Sequence, residues 1–271
     1  MAQASTDPEP PSGVDVSRPS VARMYDFYLG GKHNYPSDRA AVAAVIEAYP
    51  RTIDVIVEAR HFLRRAVRYM CFQGIDQFID MGSGLPSADN TPQVAQRVNP
   101  NARVVYVDID EAAVIFGRRM LGGDPTTAFI QGSVLELEPI LNHPETRKLI
   151  DFSKPVGVLM MGLLHFFSMD TNHAILKDLR DNLAPGSLLS FSHTISNFVT
   201  EEEVRQVQAV YAKTSTPHFI REMSIVGQLT EGYDIVEPGL VSMHKWKMDI
   251  AEEGEPEAPQ TSAMVGVVLR T

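Results

Sequence analysis

The chain has 271 residues, 44% of them apolar and 21% charged, and a formal net charge of −10. Length and composition fit one large soluble α/β domain with a full core, and the acidic balance disfavours a nucleic-acid backbone as partner. The lone cysteine, Cys71, excludes an internal disulfide and fits a reducing cytoplasm; no apolar run reaches the ~18 residues of a membrane helix, and no signal peptide is visible.

Residues 1–18 are rich in Pro, Ser and acidic side chains, the composition of a disordered leader. From Pro19 the chain mixes aromatics and glycines, with a short helix expected over 21–29 and ended by Gly30-Gly31. Val42, Val45, Ile46 and Tyr49 mark an amphipathic helix that stops before Pro50. A longer helix carries Ala59, Leu63, Ala66, Val67 and Met70 on one face, and Gly74 is placed to cap it. Arg60, Arg64, Arg65 and Arg68 on that helix read as a solvated face rather than a binding patch. Cys71, near its end, reads as structural rather than catalytic.

Beyond Gly74, strands and helices alternate. QFIDMG is a strand running into a glycine turn, followed by a helix near 91–98. ARVVYVDID is a second strand, EAAVIFGRRML a helix, TTAFIQGSV a third strand, and the very apolar PVGVLMMGLLHFF a buried fourth. A helix near 172–183, a fifth strand SLLSFSH, and a helix opened by the Thr200/Glu203 capping box follow. YDIVEPGLV and AMVGVVLRT are two last strands, separated by an acidic insert at 251–262 and free to pair as a long hairpin. This order implies a mostly parallel sheet with helices on both faces and an antiparallel edge.

The sharpest segment is Asp80-Met81-Gly82-Ser83-Gly84, a strand entering Gly-Ser-Gly at the sheet edge where ligands bind. Asp108 ends the second strand, 24 positions after Gly84, where a carboxylate can accept both hydroxyls of a ribose. A dinucleotide site wants a third glycine and a helix N-terminus at the pyrophosphate. Here Ser87 stands in that place after Pro86, and Asp80 would set a carboxylate beside two phosphates. S-adenosylmethionine carries a sulfonium and an amino group and no phosphate, which the Asp80 neighbourhood favours. A dinucleotide and a ligand-free turn remain the alternatives.

Several stretches carry a resemblance: PSVARMYDFYLGGKHNYPSDRAA (19–41), QFIDMGSGLPS (77–87), ARVVYVDID (102–110), LIDFSKPVGVL (149–159), LLHFF (163–167) and VEPGLV (236–241). Over nearly all of its length after Pro19 the chain resembles the S-adenosylmethionine-dependent methyltransferase family found mostly in actinomycetes and long catalogued as a domain of unknown function. The resemblance implies a class I, Rossmann-like fold: a seven-stranded, mostly parallel sheet with an antiparallel edge strand and helices on both faces. Residues 19–73 would form a helical cap or lid and 74–271 the core. It also implies roles. Asp80, Gly82, Ser83 and Gly84 would line the methionine end of the cofactor, Asp108 would hold the ribose with Ile109 and Asp110 beside the adenine, and Ser133 and Val134 would meet the adenine edge. Relatives often carry Asp where this chain has Ser133. Gly162 and His165 would lie near the transferring methyl.

Tyr25, Tyr28, Gly30, Gly31, Lys32, His33, Asn34 and Tyr35 form a polar and aromatic cluster that reads either as a lid over the cofactor or as a plain cap. Tyr25, Tyr28 and Asn34 are its cofactor candidates, the tyrosines through cation–π attraction to a sulfonium. His165 is the general-base candidate, with a structural histidine as the alternative; His193 is a weaker one, and Trp246 and the Met160-Met161 pair read as packing residues. No spacing makes a metal site. The expected activity is methyl transfer to a small-molecule acceptor, without nucleic-acid or membrane partners. A non-catalytic sensor of the cofactor or its demethylated product, and a nicotinamide-dependent oxidoreductase, are the competing readings.

Overall fold

The computed structural model describes residues 10, 14–86, 90–214, 216–251 and 262–271. Most of the expected leader, Ser87 of the glycine turn and most of the acidic insert therefore lie outside the described residues. Three helices come first: α1 (Val21–Tyr28), α2 (Pro36–Ala48) and α3 (Thr52–Phe72). The alternating part follows as β1 (Gln77–Met81), α4 (Thr91–Val98), β2 (Arg103–Asp108), α5 (Glu111–Leu121) and β3 (Thr127–Gln131). Then come α6 (Leu137–Asn142), α7 (Pro144–Leu149), β4 (Gly157–Met160), α8 (Met169–Asn182) and β5 (Leu188–Thr194). The chain ends with α9 (Glu201–Tyr211), α10 (Met223–Gly227), β6 (Asp234–Ile235), β7 (Val241–Ser242) and β8 (Met264–Arg270).

The sheet order is β3-β2-β1-β4-β5-β8-β6, with β7 also on β8. The first five strands are parallel and β8 runs antiparallel to β5. The expected hairpin forms in two pieces, Asp234–Ile235 pairing with Arg270 and Leu269, and Val241–Ser242 with Gly266 and Val265. From β1 the chain builds outward to β2 and β3, then returns to the other side of β1 for β4. That reversal opens a crevice at the carboxyl ends of β1 and β4.

Alternate strand residues feed opposite faces, as a period of two requires. Phe78, Val104, Tyr106, Phe129 and Leu159 pack against α3, α4 and α5. Ile79, Val105, Val107, Ile130, Val158 and Met160 pack against α6, α7 and α8. The expected 19–73 cap divides physically: α3 belongs to the sheet layer, through Phe62, Leu63, Ala66, Val67 and Met70. Met24 and Tyr28 of α1 instead make a separate small cluster with Val42 and Val45 of α2.

Three expectations need correction. The fourth strand stops at Met160; Gly162 takes φ +63° and Leu164–Phe166 forms a 3-10 turn, so this apolar run is buried without being extended. The arginines of α3 are not a solvated face. Arg65 is fully buried and donates to the carbonyls of Trp246 and Met243, both at 2.8 Å, and Arg68 donates to that of Ile250 at 3.0 Å. They hold the C-terminal segment onto α3. Between the third and fourth strands, where no helix was expected, α6 and α7 form; Pro139 and Pro144 each sit in a first turn, where the missing N–H costs nothing.

Candidate active site

The turn after β1 is locked to β2. The N–H groups of Gly82 and Ser83 donate to the Val107 carbonyl at 2.8 and 3.3 Å, and that of Gly84 to Asp108 Oδ2 at 2.7 Å. Gly82 is obligatory: its φ is +66°, and a Cβ there would lie 2.6 Å from Leu163 Cδ1. At Gly84 a Cβ would meet nothing within 4 Å among the described residues. Asp80 is buried beside this turn, with Oδ2 accepting from Thr91 Oγ1 at 2.6 Å. Burial pushes its pKa up to about 6, against the hydrogen bond from Thr91 and the nearby Arg60 charge.

Asp108 faces Asp80 from the end of β2. Its Oδ1 accepts the Asp110 N–H at 2.9 Å while Oδ2 holds Gly84. Burial again outweighs those bonds and raises the pKa to about 6. Ile109, next along, is 70% exposed although apolar. It borders the same cavity as Gly132, Ser133, Val134 and Leu135 after β3. Asp110 caps α5 through the Ala112 N–H at 2.8 Å and accepts from Ser20 Oγ, which ties the N-terminal segment to this edge.

Beyond β4 the 3-10 turn carries His165 into the cavity, its Cε1 3.5 Å from where a Gly162 Cβ would stand. His165 is buried, and burial, followed by His218, His193 and Arg221, drives its pKa well below the ordinary value. Its ring centroid lies 4.6 Å from that of His218 and 5.7 Å from that of His193. His193 is engaged at both nitrogens, Nδ1 with the Thr194 carbonyl at 2.7 Å and Nε2 with Arg221 at 2.9 Å. It serves the framework, and it does not border the cavity. Trp246 is a packing residue, buried edge-on to Phe62 and Tyr69.

The N-terminal cluster splits into two parts. Its polar half is built around Asp26, whose Oδ2 accepts from the His33 N–H at 2.9 Å and from Asn34 Nδ2 at 3.2 Å. Gly31 must be glycine, since a Cβ would fall 2.0 Å from Asp26 Oδ1. Asp38 ties the ends together, accepting from Arg23 Nε at 2.8 Å and from the N–H groups of Ser20 and Tyr35 at 2.9 Å. Its aromatic half faces the cavity. Tyr25 lies near Asp80 and Arg60, whereas Tyr28 lies against Tyr211.

One cavity of about 720 Å³ therefore brings together His165 and every cofactor candidate of the sequence except Asn34. Asn34 was expected at the cofactor; its amide is instead consumed by Asp26, the Gly31 carbonyl and Arg39. Sequence reasoning missed Thr91, Arg60, Thr194 and His218, which also border the cavity or anchor its carboxylates. Tyr211, at the end of α9, borders the cavity with Val204 and Val207 of the same helix. Among the described residues no group of His, Cys, Asp and Glu is arranged to hold a metal, and no helix is long and apolar enough to cross a membrane.

Residues 7–271 match the family described as S-adenosyl methyltransferase. The chain belongs to that family. It is 36% identical to a candidate methyltransferase from Thermobifida fusca YX over 97% of this chain and 98% of that one, with a TM-score of 0.88. It is 32% identical to a DUF574 family protein from Streptomyces avermitilis MA-4680 over 95% and 99%, with a TM-score of 0.87. A mitomycin 7-O-methyltransferase, 14% identical over 77% of this chain and 54% of that one at a TM-score of 0.50, shares the fold alone. No curated protein matches the chain significantly. The architecture is the Rossmann-like one of methyltransferases, and the cofactor is S-adenosylmethionine.

The residues present fit that cofactor. The N–H groups of Gly82, Ser83 and Gly84 are all taken by β2, so these three offer no amide cradle to a pyrophosphate. Two carboxylates raised to about 6 suit a cation and oppose a phosphate.

Proposed function

We propose that this methyltransferase acts on a small molecule bound in the same cavity as the cofactor, with His165 taking the acceptor's proton. The continuity of one cavity from Asp80 and Asp108 to His165 carries this reading. When bound, S-adenosylmethionine supplies an electrophilic methyl on a positively charged sulfur. Asp108 would accept from the ribose hydroxyls through the lone pairs its loop bonds leave over. Ile109, Ser133 and Val134 would enclose the adenine, with Asp110 at its rim. Asp80, Gly82, Ser83, Gly84 and Tyr25 would surround the methionine end, and Gly162 would leave room at the methyl. The chain's main contribution would be alignment of the acceptor atom with the methyl in a site closed from water by α1 and α2.

Asp80, buried and facing both Asp108 and Arg60, would also favour the donor's cationic end over a neutral one. Calorimetry on the purified chain tests the reading. S-adenosylhomocysteine is expected to bind with one site per chain and a reduced nicotinamide dinucleotide to give no heat. The reverse result would overturn the methyl-transfer reading in favour of hydride chemistry. The weak basicity of His165 favours one second reading, a protein that senses cofactor without turnover. Release of S-adenosylhomocysteine from S-adenosylmethionine in the presence of an acceptor excludes it.

A further inference from the structure

The two ends of the cavity differ in chemistry. Asp80, Asp108, Asp110 and Arg60 border the donor end. The other end is a cluster of rings from four parts of the fold: Tyr28 of α1, Phe166 of the 3-10 turn, Tyr211 of α9, and His218 of the loop after α9. Ring centroids lie 4.6 Å apart for Tyr211 and His218, 5.7 Å for Phe166 and His218, and 6.1 Å for Phe166 and Tyr211. Val204, Val207 and Ile220 extend this wall. Its nearest charges are engaged elsewhere. Arg221 donates to His193 and to the Phe167 carbonyl, and Glu203 accepts from the Thr200 N–H and hydroxyl, both at 2.7 Å.

Two imidazole nitrogens in this cluster, His165 Nδ1 and His218 Nδ1, are buried without a hydrogen-bond partner. Native proteins rarely leave such atoms unpaired, so each one calls for a partner. His218 is oriented by Thr194, whose Oγ1 lies 2.9 Å from Nε2. Burial pushes the His218 pKa down to about 3, and His165 is lowered as well, so both rings are neutral near pH 7. A neutral nitrogen in an apolar, ring-lined wall suits a hydroxyl on an uncharged ring. It offers little to a carboxylate or phosphate, since the guanidinium of Arg221 is already spent on His193 and the Phe167 carbonyl.

We propose that the acceptor is an uncharged aromatic compound bearing a hydroxyl group, its ring packed on Phe166 and Tyr211 and its hydroxyl held between His165 and His218. This rests on the methyl-transfer reading above. The hydroxyl oxygen forms the new O–CH₃ bond, the S–CH₃ bond breaks with its electron pair passing to sulfur, and the hydroxyl proton passes to His165 and then to water. One positive charge leaves sulfur as one forms on imidazole. The net charge of the cavity is thus unchanged during transfer, which allows a weak base to serve.

The test uses the full chain saturated with S-adenosylhomocysteine and three probes: 2-naphthol, naphthalene and 6-hydroxy-2-naphthoate. Calorimetry is expected to show 2-naphthol binding at least tenfold tighter than either of the others. His218→Phe keeps a ring and removes both nitrogens; it is expected to weaken 2-naphthol at least tenfold while S-adenosylhomocysteine affinity stays within twofold. No binding of 2-naphthol, equal binding of the naphthoate, or an unchanged 2-naphthol affinity in a folded His218→Phe overturns the acceptor class. Where that variant does not fold, the three-probe comparison on the unsubstituted chain decides alone. Failure of the unsubstituted chain to bind S-adenosylhomocysteine is a separate result that removes the methyl-transfer reading itself.

Discussion

Replacing Asp108 with alanine separates the cost of a buried carboxylate from its use. In the free protein both oxygens already accept backbone N–H groups, from Gly84 at 2.7 Å and Asp110 at 2.9 Å, and burial still holds the pKa at about 6. Ionising a group about two units above its ordinary value costs about 3 kcal/mol near pH 7. Alanine removes that cost and leaves two loop N–H groups without acceptors, at about 1–3 kcal/mol each. These terms oppose each other, so the stability of the free protein should change by between about 1 kcal/mol gained and about 3 kcal/mol lost. Donor binding has no such compensation. Two hydroxyl bonds to a charged acceptor contribute about 1.5–3 kcal/mol each, so affinity should fall by roughly two to four orders of magnitude. Calorimetry with S-adenosylhomocysteine, run beside a denaturant titration, measures both. An affinity within threefold of the parent chain in a variant of normal stability would refute the ribose assignment.

The pH dependence should be equally specific. Asp80 and Asp108 have folded pKa values near 6, raised above 3.8, so their contribution to stability falls as pH rises from about 4 to about 6 and is level above that. S-adenosylmethionine, being cationic, requires the ionised forms; its affinity should rise from pH 5 to pH 7 by up to about tenfold per unit for each carboxylate, with proton release on binding. A flat affinity over that range would contradict the electrostatic account. Gly82→Ala should destabilise by about 2–4 kcal/mol, from a left-handed backbone and a Cβ 2.6 Å from Leu163; a denaturant shift equivalent to under 1 kcal/mol would show that the turn relaxes. Cys71, its thiol pushed up to about 12 by burial, should resist alkylation near neutral pH in the native chain and react on unfolding. Rapid native labelling would count against the structural role.

What was legible in the sequence was local. Caps and periodicity located α4 and α5 at Thr91–Val98 and Glu111–Leu121, and the Thr200/Glu203 box opened α9. The β1 turn and Asp108 were legible because a parallel sheet brings successive strand ends to one edge. Elements whose conformation depends on distant partners were not. The apolar run after Met160 has the composition of a strand, but only its tertiary surroundings decide that Leu164–Phe166 turns under the cap. The α3 arginines carry the pattern of a surface, and their acceptors, the carbonyls of Met243, Trp246 and Ile250, lie nearly the length of the chain away. His218 sits in a loop with no periodicity, and only the folding of α9 over the cavity brings it beside His165.

The electrostatics of the donor end connect the fold to the choice of cofactor. A glycine turn after β1 is common to proteins that bind phosphates and to those that do not; what differs is where its N–H groups point. Here those of Gly82, Ser83 and Gly84 are spent on Val107 and Asp108, so these three present no positive face. The carboxylates at the same edge then stand in a low-dielectric cavity with Arg60 as nearby cation, and both are pushed toward protonation. An anionic ligand would add to that cost, and a neutral one would leave it in place. A sulfonium relieves it, because the same field that disfavours two buried anions in the free protein favours a cation between them. The segment from Ser20 to Arg23 adds a geometric condition: Ser20 bonds Asp110 at the start of α5 and is held by Asp38, which also fixes Arg23 and Tyr35. A shift of α1 away from the sheet would therefore break the Ser20–Asp110 contact and remove the cavity wall that Tyr25 and Tyr28 form.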